Sequence, residues 1–165
     1  MDRQQILLAK SLEAAEVSLS VETFADRLIL QKTVYLLQAA GVHLGYRFRW
    51  YLRGPYSPEM TAGAFGIVGE GQLAQRELQG WKLDDASKER IDRLKPLLAA
   101  EGADKPSQVR RMELLASVLF LIKTEQTEAS DAEGTAAILR KYKKDYDAKA
   151  VRKAVHQLRA YGLFQ

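Results

Sequence analysis

The fold turns on VETFADRLILQKTVYLLQAAG, residues 21–41. Its apolar side chains do not keep to one stripe. On a helix from about 22 to 40, Leu30, Val34 and Leu37 share one face, with Ile29, Leu36 and Ala40 beside them. Phe24, Leu28 and Tyr35 fall on nearly the opposite side. A helix that is apolar almost all round belongs in the middle of a fold. Gln31 and Lys32 sit in its midst, and lysine is rarely buried without a partner. Gly41 stands where a left-handed residue closes a helix.

Downstream, Tyr46 to Leu52 alternates and is rich in aromatics, which predicts a strand. Arg47, Arg49 and Tyr51 then point one way, and Tyr46, Phe48, Trp50 and Leu52 the other. Gly54-Pro55 ends the strand. Ser57 suits an N-cap, Pro58 the first helical position and Glu59 the helix dipole. The short helix that follows reaches about Phe65, where glycines at 63, 66, 69 and 71 weaken and end it. LQGWKLD, 78–84, reads as extended and as the pairing partner of 46–52.

The other segments read as helices. Residues 2–17 form a mildly amphipathic first one. Asp84 or Asp85 opens another that runs to about Ala100, with Pro96 as a kink or a new turn. Ser107 caps a long apolar helix to about Lys123. Ser130 and Glu133 have capping-box spacing before a helix to about Tyr142. Asp147 caps the last, which Gly162 closes after Tyr161. The expected fold is mainly α with a small β ribbon. It is one compact domain over 1–165, a bundle of six or seven helices with a two-stranded antiparallel ribbon around 46–52 and 78–83.

Composition narrows the function. The 165 residues include no cysteine, which removes disulfide frameworks, thiolate metal sites and cysteine nucleophiles. The N-terminus does not read as a signal peptide, and no apolar run nears the ~18 residues of a membrane span. A cytoplasmic protein without a membrane partner is expected. Net charge is +4, unevenly spread. Arg140 to Arg159 holds eight Lys/Arg and two Asp, a net of +6, which leaves −2 elsewhere.

Catalytic constellations are hard to assemble. His43 and His156 are far apart and lack ligand-spaced partners. GIVGEGQ, 66–72, follows a helix and has the wrong glycine spacing for a phosphate loop, so it reads as a connector. The carboxylates at Asp84 and Asp85, or Asp145 and Asp147, sit at helix starts and read as caps. No metal or cofactor site is expected, and the chain is read as a non-enzyme.

Two surfaces remain. Arg47, Arg49, Tyr51 and Arg53 form either the charged outer face of an edge strand or a recognition surface for carboxylate or phosphate groups. The free N–H groups at Ser57-Pro58 suit an anion, but Glu59 already answers that dipole. In the last helix, Val151, Ala154, Val155 and Leu158 make an apolar stripe. Lys149, Arg152, Lys153, His156 and Arg159 back it with a basic one. Helix, turn KKDYD and basic helix is the plan of a helix-turn-helix reader, and equally of a solvated surface helix.

LILQKTVYLLQAAG (28–41) followed by YRFRWYLRGPYSPEM (46–60) resembles the Panacea or SocA-like antitoxin domain, and more closely its YwgA-like bacterial relatives. The residues that carry the likeness are Leu30, Gln31, Lys32, Tyr35, Gly41, Phe48, Tyr51, Gly54, Pro55, Tyr56 and Ser57. The resemblance implies a compact, mainly helical fold with the Leu-Gln-Lys helix near its centre. It also implies a non-catalytic protein that binds another protein, a toxin in the Panacea-type members. In that light Gly54-Pro55-Tyr56-Ser57 is a fixed corner, and Gln31 and Lys32 reach toward it to satisfy its carbonyls. The function expected is a protein-interaction module of antitoxin or phage-defence type. The alternative is a nucleic-acid-binding regulator using the basic helix 147–161.

Overall fold

The computed structural model describes residues 1–99 and 102–165. Its helices are α1 (Arg3–Ala14), α2 (Phe24–Ala39), α3 (Pro58–Glu70), α4 (Gln72–Leu78), α5 (Asp85–Leu98), α6 (Lys105–Lys123), α7 (Ala132–Lys141) and α8 (Ala148–Ala160). A two-stranded ribbon, β1 (Arg49–Tyr51) and β2 (Gly54–Tyr56), stands between α2 and α3. Mainly helical with a small antiparallel ribbon is therefore the class, as the periodicities predict.

The main packing contact is α2 against α6. Leu30, Val34, Leu36 and Leu37 of α2 meet a core that includes Leu115, Val118, Leu119 and Leu121 of α6. One apolar cluster runs from Leu8 to Leu163. Thr23 caps α2 in a reciprocal box with Asp26. At the other end Gly41 (φ +94°) donates to Gln38 and Val42 to Leu37, a Schellman closure. The all-round burial expected of α2 fails at its first residue. Phe24 is 57% exposed, because the first turn projects beyond the core.

The ribbon differs from expectation. Tyr51 pairs with Gly54, Trp50 with Pro55 and Arg49 with Tyr56, so Gly54-Pro55 begins the return strand where only the end of the first strand was expected. Closing the two-residue loop Leu52-Arg53 costs far less entropy than reaching 78–83. Pro55 is tolerated because this ribbon has only two strands, both of them edges. Residues 81–84 have no regular structure, and Trp81 is largely exposed.

The helix expected to end near Phe65 continues to Glu70, and a further helix follows Gly71. Tertiary packing overrides the glycine penalty here. A Cβ on Gly66 would lie 2.6 Å from the Gln5 side-chain nitrogen, and one on Gly63 3.3 Å from the Tyr46 hydroxyl. These glycines let α3 lie close against α1. Two caps move as well. Asp104, not Ser107, caps α6, and Asp131, not Ser130, caps α7, each accepting a backbone N–H three residues on. Asp84 and Asp147 cap α5 and α8. No helix among the described residues is long and apolar enough to cross a membrane.

Candidate functional site

The hairpin corner, residues 52–57, is held from behind by polar side chains on three elements. From α2, the Gln31 amide donates to the Ser57 carbonyl (2.8 Å) and its oxygen accepts the Ser57 N–H (2.9 Å). The same amide nitrogen donates to the Thr61 hydroxyl. Lys32, one residue on, donates to the Pro55 carbonyl at 2.8 Å. From the turn after α7, Lys144 Nζ donates to the Leu52 carbonyl at 3.0 Å and pairs with Glu113 of α6. The other Glu113 oxygen lies 3.6 Å from the Arg53 guanidinium. The corner thus has its backbone groups satisfied by side chains that are themselves buried.

Gly54 seals this arrangement. Its φ is +90°, and a Cβ there would lie 2.4 Å from Ser117 Oγ on α6. Glycine is demanded twice, by conformation and by space.

Glu113 pairs with Lys144 and Arg53, and the buried Lys32 feels all three charges. Burial lowers the Lys32 pKa to about 7; Glu113 opposes that fall, while Lys144 and Arg53 add to it. Burial also lowers the Lys144 pKa, with the hydrogen bond to Glu113 working against it. Ser117 Oγ is buried without a hydrogen-bond partner. Lys32 is 1% exposed and Ser117 0%, so this amine and hydroxyl lie beneath the hairpin rather than in a cleft.

Aromatic rings hold the hairpin from the side. Phe48 meets Tyr35 edge-on with centroids 5.3 Å apart. Trp50 lies 5.6 Å from Phe120 and 4.9 Å from Tyr142. Such pairs each add about 0.5–1.5 kcal/mol beyond area burial. With this face anchored, the opposite face is left to solvent. Arg47, Arg49, Tyr51 and Arg53 are all exposed, and Tyr51 rests 5.6 Å from Tyr56. Leu52 was expected on the core face with Trp50. It sits in the turn instead and is 72% exposed, because the strand ends at Tyr51.

On α8, Val151, Ala154, Val155 and Leu158 are buried against α6 and α7. Lys149, Arg152, Lys153, His156 and Arg159 are all exposed. The Arg159 guanidinium lies 5.0 Å from the Phe164 ring centroid. His43 is exposed in a loop. Among the described residues no cluster of His, Asp or Glu has the make-up of a metal site.

Sequence reading places Gln31, Lys32, Tyr35, Gly54, Pro55, Tyr56 and Ser57 in one motif; the structure joins Gln31 to Ser57 and Lys32 to Pro55, while Tyr35 packs on Phe48 and Phe120 and Tyr56 on Tyr51. It misses Glu113, Ser117 and Lys144. Lys144 lies in a basic run that reads as solvated. The signal for its burial is the helix end before it. Lys143 adopts φ +59° and donates to Arg140, and Lys144 N donates to Leu139. That closure turns the next side chain inward.

No family model, curated protein or solved structure matches the chain.

Proposed function

We propose that the chain is a non-enzymatic protein-interaction module that docks a partner protein on the outer face of the β1–β2 hairpin. The observation that carries this is the exposure of Tyr51 and Leu52 beside Arg47, Arg49 and Arg53, on a hairpin whose backbone is tied down from below. Tyrosine and arginine dominate binding hot spots, and a rigid mount limits the entropy lost on docking. The arginines favour an acidic partner and speed its approach. The antitoxin-like pattern of residues 28–60 supports a partner that the chain neutralises or escorts, a toxin or defence component of the cytoplasm.

Affinity capture from the native cells, with and without nuclease, tests this reading. One stoichiometric protein should survive nuclease and moderate salt, and be lost on combining Arg49→Glu with Tyr51→Ala. A second reading, nucleic-acid binding by α8, rests on its exposed basic stripe. It requires affinity that falls steeply with salt and disappears with Arg152→Glu plus Arg159→Glu.

A further inference from the structure

Beside the hairpin lies a cleft of about 490 Å³ between the start of α2, the start of α6 and the turn before α8. Its apolar lining includes Phe24, Leu28, Pro106 and Val109. Around it stand Arg53, Lys105, Arg110, Lys143 and Lys144, against the carboxylates of Glu113 and Asp145. Glu113 is answered by Lys144 and Arg53. Lys105 is shared with Asp26 outside the cleft. Arg110 stacks 4.5 Å from the Tyr146 ring centroid and donates to the Asp145 carbonyl, so its charge is held in place at the rim.

Phe24 is the informative residue. It is a large aromatic, mostly exposed, at the first position of α2, where the core does not require one. The guanidinium carbons of Arg53 and Arg27 lie 5.9 and 6.0 Å from its ring centroid. An apolar surface rimmed by cations with excess positive charge complements a segment with an apolar side chain among acids.

We infer that this cleft is the seat for a short acidic segment of the partner that inserts one aromatic or aliphatic side chain against Phe24. The inference rests on the hairpin reading and deepens it, since Arg53 belongs to both surfaces. A nucleic-acid backbone fits less well. Glu113 and Asp145 interrupt the basic lining, and the space suits one or two side chains.

The test uses the full chain and a capped nine-residue peptide, one central Phe flanked by Asp and Glu. Binding is read by fluorescence anisotropy and by amide chemical shifts. The peptide should shift resonances of Phe24, Arg110 and Lys143 and leave those of α8 unmoved. Replacing its Phe by Ser, or its acids by Lys, should abolish binding. Arg110→Glu should weaken it by about tenfold or more, and so should Lys143→Glu at an exposed position if the first variant misfolds. Unmoved cleft resonances would overturn the inference, as would equal binding of the Lys-flanked peptide or stronger shifts from a nine-nucleotide oligothymidine. If the cleft stays silent while partner capture still depends on Arg49 and Tyr51, the hairpin reading stands and the cleft alone is wrong. If the peptide binds but capture ignores those residues, the hairpin reading falls.

Discussion

Replacing Lys32 by Met should change how stability depends on pH. Burial holds the Lys32 ammonium to a pKa of about 7 in the folded chain, against about 10.4 when unfolded. Between these values the unfolded chain holds a proton that the folded chain lacks. Stability therefore rises with pH across this window. From pH 7 to pH 9 the lysine contributes a rise of about 2 kcal/mol. For a chain of this size that is about 4–8 °C in Tm. Other groups also titrate there. Lys144 adds a rise of the same sign, and the N-terminal amine, whose pKa is raised by Glu77, adds a fall. Both groups stay in the Lys32→Met variant, so the difference between the two pH curves reports Lys32 together with its coupling to Lys144. The assay is urea denaturation at half-unit steps from pH 6.5 to 9.5. Wild type should gain on the variant from about pH 7 to the top of this range. Parallel curves would refute a buried, proton-shedding Lys32.

Three further substitutions probe the corner. Gln31→Leu strands the Ser57 N–H, while the Ser57 carbonyl keeps the Thr61 N–H, and should cost about 1–3 kcal/mol in urea unfolding; a cost below about 0.5 kcal/mol would contradict the clamp. Gly54→Ala combines a strained φ with a clash on Ser117 and should cost about 2–4 kcal/mol, read as a lower Tm. Adding Ser117→Ala should return the clash share and leave the strain, a coupling that a double-mutant cycle measures. Lys143→Gly relieves a left-handed lysine and should stabilise by about 0.5–1 kcal/mol in the same assay.

Much of the fold was legible because its signals are local. Caps at Asp84 and Asp147, the closure at Gly41 and the apolar girth of α2 each depend on a few neighbouring residues. The reach of Gln31 and Lys32 toward the corner was different: it came from the family resemblance, because the carbonyls they meet lie 26 and 23 residues away. What stayed hidden depends on distant partners. Gly63 and Gly66 read as helix breakers until α1 is known to lie against them. Glu113 and Lys144 meet across 31 residues, and each alone resembles an ordinary surface charge. Gly54-Pro55 reads as an ending; only the register shows it to be the return strand.

Site-specific photocrosslinking asks most directly whether the hairpin is the docking face. A benzoylphenylalanine at position 51, and separately at position 156 on α8, would be irradiated in native cells. The expected result is one discrete protein adduct from position 51, stable to nuclease, and none from position 156. An adduct from position 156 alone, or one that nuclease removes, would contradict hairpin docking and place the contact on the basic helix.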